Sequence, residues 1–393
     1  MFEKIVGRNK KLFIDDIINH ENSIYNIISE SSFLILGAAG TIGQAVTNEI
    51  FKRNPKKLHV VDISENNLVE LVRDLRSSYG YNSGIFQSFC LDIGSRQYDL
   101  FIDHDGRYDY VLNLSALKHV RSESNPYTLM RMIEVNILNT EKTIIQSINK
   151  GVKKYFCVST DKATNPVNMM GATKLVMEKF LEKYSHKINI STARFANVAF
   201  SDGSLLYGFK QRIEKRQPIV APNDVKRYFI SKEESGQLCL MSCLFGDNCD
   251  IFFPKLDDSI HLIKFTEIAN RFLEYNNYKP LILSSEKEAR EFDFNNDSKY
   301  WPCFYSESDT TGEKDFEEFY TDKENLDMKS YKDLGIIKKQ QKELNFDTES
   351  FKEKIFKLND KKDLKKTEIV SIFKKYLPNF KHIERGKFLD SKM

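Results

Sequence analysis

The sequence carries almost no net charge: 59 Lys plus Arg against 56 Asp plus Glu leave a formal +3. That excludes a global electrostatic pull toward nucleic acid or an anionic membrane, so any bound anion is held locally. No run of about 18 apolar residues appears, which excludes a membrane-spanning helix read from hydropathy. The start, "MFEKIVGRNKKLFIDD", interrupts its apolar stretches with charge too early for a signal peptide, and the expectation is a cytoplasmic protein. Six cysteines contain no CxxC pair and no histidine at metal-ligand spacing, so they read as reduced structural thiols and no metal is expected. There is no internal repeat and no low-complexity tail.

What is present, in 393 residues that are 41% apolar, is enough for two domains or one large one with an appendage. From Phe33, short apolar runs alternate with helical patterns: "FLILG", "KLHVVD", "IFQSFCLD", "YDYVLNLS", "KKYFCVST" and "NISTARFAN" are separated by amphipathic stretches, one running from Pro126 to about Lys150. Strands alternating with helices predict α/β architecture, a Rossmann-type doubly wound parallel sheet over 31–200. Residues 1–30 read as a helical preamble. Residues 201–393 read as a smaller α/β region, where "EFDFNNDSKYWPC" and the Lys-rich tract 337–367 are expected to be long loops and solvated helices.

"FLILGAAGTIGQAV" puts Gly37, Gly40 and Gly43 between the first strand and the first helix. Glycines there permit a tight turn and let backbone amides approach a pyrophosphate at the helix N-terminus. The second strand ends in Asp62, 19 residues past Gly43, where a carboxylate accepts from a ribose diol and repels a 2′-phosphate. The pattern predicts a dinucleotide, NAD in preference to NADP. The end of the third strand would bring Asp92 and Ile93 to the adenine, although an Asp after a strand also serves as a helix cap.

The densest chemistry lies in "STDKATNPVNMMGATK", residues 159–174. Thr160, Asp161 and Lys162 directly follow a core strand, at the carboxyl edge where parallel sheets bind ligands. Together with "NLSALKHV" (113–120), "ESNPY" (123–127), Asn136, "RFANVAFSDGS" (194–204), "KRYFIS" (226–231) and "TGEK" (311–314), this stretch resembles the extended short-chain dehydrogenase/reductase family. Within that family it is similar to the nucleotide-sugar 4,6-dehydratases of bacterial polysaccharide biosynthesis that act on UDP-N-acetylglucosamine. The superfamily places a tyrosine four residues before its lysine, on the same helical face. Here the lysine is Lys174 and the tyrosine position holds Met170, which is similar to the dehydratases that retain the C5 configuration; the inverting relatives keep tyrosine.

The resemblance implies a route. Oxidising C4 to a ketone makes the C5 hydrogen acidic, water then leaves across C5 and C6, and NAD is regenerated each cycle and stays tightly bound. It implies Asp161 as the acid at the C6 oxygen, Lys162 as the base at C5, and Lys174 on the nicotinamide ribose. A neutral acid and a neutral amine both require shifted pKa values. Thr160 offers a hydroxyl to O4, whose proton passes through it or a water to Lys174 or Asp161, while Met170 packs. Thr41, Ile42, Ser64, Leu114, Ser115, Ala116 and Asn136 are implied around the cofactor. Asn197, Ser204 and Arg227 are implied at the diphosphate of the UDP-sugar, and Lys118, His119 and Glu123 on the sugar side. A C5-inverting dehydratase, a C4 epimerase and a non-catalytic NAD-binding scaffold remain as alternatives, and a homo-oligomer is expected.

Overall fold

The computed structural model describes residues 1–256, 261–294, 299–314, 316–339 and 346–388. Parts of two tracts read as loops, 295–298 and 340–345, lie outside the described residues. The organising element is strand β1 (Ser32–Leu36), whose alternation sends Phe33 and Ile35 into one apolar layer and Leu34 and Leu36 into another. Such a strand is covered on both faces, which is why its apolar run is continuous. Strands β2 (Lys57–Asp62), β3 (Ile85–Cys90), β4 (Tyr110–Asn113), β5 (Lys154–Val158) and β6 (Asn189–Ala193) complete a parallel sheet in the order β3-β2-β1-β4-β5-β6.

Before this sheet lie helices α1 (Phe2–Val6) and α2 (Ile14–Ser29). Helices α3 (Thr41–Phe51) and α4 (Glu65–Tyr79) join α2 against one face of the sheet. Helix α5 (Arg96–Asp105) packs on the other. Helix α6 (Pro126–Ile133) continues through a π-helical turn, Glu134–Leu138, into α7 (Asn139–Asn149), and α8 (Met169–Tyr184) lies beside them. The fold is therefore α/β and doubly wound, as the alternation predicts.

Beyond residue 200 the chain does not leave this sheet behind. Short strands β7 (Asn197–Val198), β8 (Ile219–Pro222), β9 (Lys226–Arg227) and β10 (Phe229–Ile230) follow β6 together with helix α9 (Leu205–Glu214), and β7, β10 and α9 contribute to the lining of a cleft. Helix α10 (Lys232–Phe245) then packs on α3, and β11 (Ile251–Pro254) pairs in parallel with β6. The large sheet thus takes in a strand from beyond residue 200. A further strand, β12 (Ile263–Lys264), pairs with β9, and helix α11 (Phe265–Tyr275) packs against α1.

Two expectations are corrected. The "KYWPC" end of the first supposed loop belongs to β14 (Tyr300–Ser306), the central strand between β13 (Lys279–Ile282) and β8. After β15 (Leu326–Asp327), strand β16 (Leu334–Ile337) runs antiparallel to β11 and ends where the Lys-rich tract begins. The rest of that tract is not simply solvated. After the five-residue helix α12 (Glu286–Arg290), helices α13 (Thr348–Asn359) and α14 (Lys366–Tyr376) turn Phe351, Ile355, Ile369 and Phe373 inward. These share one core cluster with Leu129 and Ile133 of α6 and with Met169, Met170, Val176 and Phe180 of α8. The lysines occupy the outer faces, and the inner faces are apolar.

Phe351 stands at the centre of this second core, against Phe180, Phe346, Phe373 and Tyr376 at ring separations of 5.3–6.3 Å. Replacing it with alanine removes a fully buried aromatic, and Phe351→Ala is expected to cost about 3–5 kcal/mol. The measurement is a denaturant titration, read as a lower midpoint with an unchanged slope.

Candidate active site

Strand β5 is buried throughout and delivers Ser159, Thr160 and Asp161 to the carboxyl edge of the sheet. Thr160 caps the short turn Asp161–Ala163 by accepting from the Lys162 amide. Its hydroxyl donates to Asp161 Oδ1 at 2.8 Å, and Lys162 donates to the same oxygen from its amide at 2.8 Å and from Nζ at 3.1 Å. Helix α8 starts alongside, capped by Asn168, whose Oδ1 accepts from the Gly171 amide. Gly171 is a residue to which the sequence reading gave no role. A Cβ there would lie 2.3 Å from the Lys162 carbonyl oxygen, so a residue with no side chain is what lets α8 approach the turn.

A cleft of about 360 Å³ runs over these groups. Gly37, Gly40, Thr41, Ile42, Gly43, Leu114 and Ala116 line it together with Thr160, Asp161, Lys162, Met170 and Lys174, and with Lys118, Asn197 and Ser204. The glycine turn fits a dinucleotide for physical reasons. Gly37 sits at φ +74°, and a Cβ on Gly43 would lie 2.0 Å from the Gly37 carbonyl oxygen. Gly40, by contrast, has nothing nearer than 3.7 Å at that position and leaves the approach to the helix N-terminus open. Asp62 is oriented by the Ala39 and Ser64 amides, both 2.9 Å from its oxygens. Ser64 itself caps α4 by accepting from the Asn67 amide.

Other site candidates sit outside this lining. Asp92 accepts from Arg131 and from the Gly94 amide, and Ile93 is buried. Ser115 donates its amide to Asn113. The His119 ring packs against Gly203 at the rim, and burial, then Lys118 and Arg121, hold its pKa down. Lys118 donates to Ser201, and the Asp202 amide donates to Thr41, so the "SDGS" turn is tied to the glycine-turn helix.

Three residues have other occupations than those the sequence suggests. Asn136, inside the π-helical turn, is fully buried; it accepts from the Leu117 amide and donates to the Leu117 carbonyl and to Thr173. It fixes α8 against the 114–118 segment. Glu123 is also fully buried and does not reach the cleft. It accepts from the Met169 amide and pairs with His382 at 3.1 Å, a partner 259 residues away. Arg227 is engaged with Glu313 and the Lys314 carbonyl. A buried charge requires such partners, and they come from segments that sequence proximity does not reveal.

The surroundings of Lys162 favour its charged form, opposite to the shift a resting free amine requires. Asp161 and Lys162 form an ion pair, with Glu317 3.7 Å from Lys162 on its other side. Burial works against the lysine's charge, but Asp161 and Glu317 outweigh it and hold its pKa above the ordinary value. Lys174 differs: burial lowers its pKa, and its Nζ donates to the Val158 carbonyl at 3.0 Å.

Beneath the site lies a charge pair that the sequence reading did not single out, Glu178 of α8 with Arg194 after β6. The guanidinium donates to both Glu178 oxygens, at 3.0 and 2.8 Å, and Ser159 donates to Glu178 at 2.7 Å. Arg194 also holds the Phe319 carbonyl and Glu324.

Strand order, glycine turn and a lysine one helical turn beyond Met170 define an extended short-chain dehydrogenase/reductase. The family described as polysaccharide biosynthesis protein matches residues 33–339, and the chain belongs to it. Over 240 residues it is 34% identical to an uncharacterized membrane protein of Methanocaldococcus jannaschii, covering 59% of this chain and 69% of that one. Among the described residues here, no helix is long and apolar enough to cross a membrane. Identity to the capsular polysaccharide biosynthesis protein CapD of Staphylococcus aureus is 28%, covering 66% of this chain and 44% of CapD, less than half its length. An inverting UDP-N-acetylglucosamine 4,6-dehydratase of Campylobacter jejuni is 27% identical, covering 68% of this chain and 79% of that enzyme. The crystal structure of Pen from Bacillus thuringiensis shares the fold, with a TM-score of 0.65 and 23% identity over 79% of this chain and 88% of Pen.

The buried pair predicts an acid limit to stability. Burial raises the Glu178 pKa, but Arg194 and Lys339 outweigh it and bring it to about 2 from an ordinary 4.5. Its contribution is therefore complete above pH 4.5 and lost as pH falls toward 2. Glu178→Gln is expected to cost about 3–5 kcal/mol at neutral pH. Because the variant lacks this titration, its difference from wild type should narrow in denaturant midpoints taken between pH 4.5 and 2.

Proposed function

We propose that the protein is an NAD-dependent nucleotide-sugar 4,6-dehydratase that acts on UDP-N-acetylglucosamine and retains the C5 configuration. The observation that carries this reading is the bond from the Thr160 hydroxyl to Asp161 Oδ1, the oxygen Lys162 also holds. An epimerase needs no acid at C6, whereas a hydroxyl, a carboxyl and an amine in series suit an elimination. The glycine turn and Asp62 would hold the cofactor, which supplies the redox chemistry by accepting the C4 hydride and returning it to C6.

The residues divide the proton work as follows. O4 passes its proton to Thr160 while the Thr160 hydroxyl passes its own to Asp161, and C4 becomes a carbonyl. Lys174 Nζ is engaged by the Val158 carbonyl, whereas Thr160 bonds directly to Asp161, so the route is assigned to Asp161. Asp161 is then a neutral acid, and it gives the same proton to the departing C6 oxygen. Lys162, as a free amine, removes the C5 proton and later returns it to the same face, which is retention. Met170 is buried in the second core and takes no part in proton transfer.

The inverting outcome is the second reading, favoured by the name of the Campylobacter relative. Incubation with UDP-N-acetylglucosamine and NMR detection decides between them: a 6-methyl signal is expected, and the C5 coupling reports the configuration. Absence of the methyl signal would overturn the dehydratase assignment. Asp161→Asn keeps the shape but not the proton, and its kcat is expected to fall by about 10²- to 10⁴-fold. A near-normal rate in that variant would remove Asp161 from the mechanism.

A further inference from the structure

The elimination needs Lys162 as a free amine, and Asp161 cannot make it one once it has received the O4 proton. A second acceptor is required. On the dehydratase reading given above, we propose that Glu317 takes the proton from Lys162 and holds it while the lysine acts on the substrate.

The geometry supports this assignment. Glu317 Oε1 lies 3.7 Å from Lys162 Nζ, and its side chain is 3% exposed. Its other oxygen, Oε2, is buried and has no hydrogen-bond partner among the described residues; Lys314 Nζ is 3.7 Å away. A carboxylate with a buried oxygen unmatched by a donor is a costly arrangement, and taking up a proton relieves it. Lys162 lines the cleft, whereas Glu317 lines a second cavity of about 420 Å³ with Tyr228, Phe253 and Phe319. Glu317 therefore touches no substrate and is a positioning residue that acts through Lys162.

The step is balanced within the protein. An N–H bond of the Lys162 ammonium breaks and an O–H bond forms on Glu317; no electrons move, and the proton returns after turnover. The surrounding charges set its ease. Burial raises the Glu317 pKa and Asp161 adds to this, while Lys162, Arg227 and Lys314 oppose it. Arg227 also lowers the pKa of Lys162, against Asp161 and Glu317. Glu313, beside Arg227, partly neutralises that cation.

An internal transfer leaves the total proton count of the pair unchanged, so the free amine forms without loss of a proton to solvent. Wild-type kcat is expected to be flat across about pH 6–8, well below the ordinary lysine pKa. In Glu317→Gln the amine must lose its proton to water, and kcat should rise about tenfold per pH unit over that range. Glu317→Asp should restore the flat profile at a lower rate. A second readout uses the wild-type protein labelled with ¹³C-glutamate: a protonated-carboxyl infrared band, shifted by the label, should appear when substrate is added. A flat profile in Glu317→Gln, whatever its rate, or absence of the shifted band would overturn the proposal. If wild type forms no 6-deoxy product, the dehydratase reading fails first; if it forms product and either overturning result is seen, only the role of Glu317 fails.

Discussion

Glu178 and Arg194, sealed from water, join the pieces of chain from which the cleft is made. The carboxylate belongs to the helix that carries Lys174, the guanidinium follows β6, and Ser159 at the end of β5 bonds to the same carboxylate. The guanidinium also reaches the Phe319 carbonyl, two residues past Glu317. Removing two charges from water costs several kcal/mol each, and the cost is recovered only when every remaining donor and acceptor is matched. That demand makes the pair a gauge of assembly, because it is satisfied only when β5, β6, α8 and the 317–324 segment are all in place.

Much of this architecture is legible in the residues. Strand, glycine turn, helix and Asp62 follow one another in the order that local sterics and hydrogen bonding dictate. Thr160, Asp161, Lys162 and Lys174 lie within sixteen residues and meet because a strand end and a capped helix are adjacent. What was hidden is long-range pairing. Glu123 looks like a cleft residue until His382 reaches it, and Arg227 looks like a free guanidinium until Glu313 does. The charge environment of Lys162 is hidden for the same reason, since Glu317 is 155 residues away in sequence. Strand β14 was obscured by Pro302, which a sequence reader takes as a break, and β16 by its length of four residues.

Met170 gains a meaning from its surroundings. A tyrosine at this position in the superfamily presents a phenol to the substrate, whereas this methionine belongs to the apolar cluster shared by α6, α8, α13 and α14. A flexible thioether fills such a junction between a core and a cleft without requiring a polar partner. In the proposed reaction the hydroxyl of Thr160, bonded to Asp161, takes the part that a phenol cannot play here.

The last segment of chain also clasps the start of α8. His382 holds Glu123, which holds the Met169 amide; the Ile383 amide donates to the Val167 carbonyl, and Gly312 bonds both to Ile383 and to the Asn168 cap. During synthesis the parallel sheet emerges from the ribosome well before these residues do. Until α13 and α14 follow, the apolar cluster of α6 and α8 lacks part of its cover, and the nascent protein passes through a stage with an adhesive surface beside its candidate site.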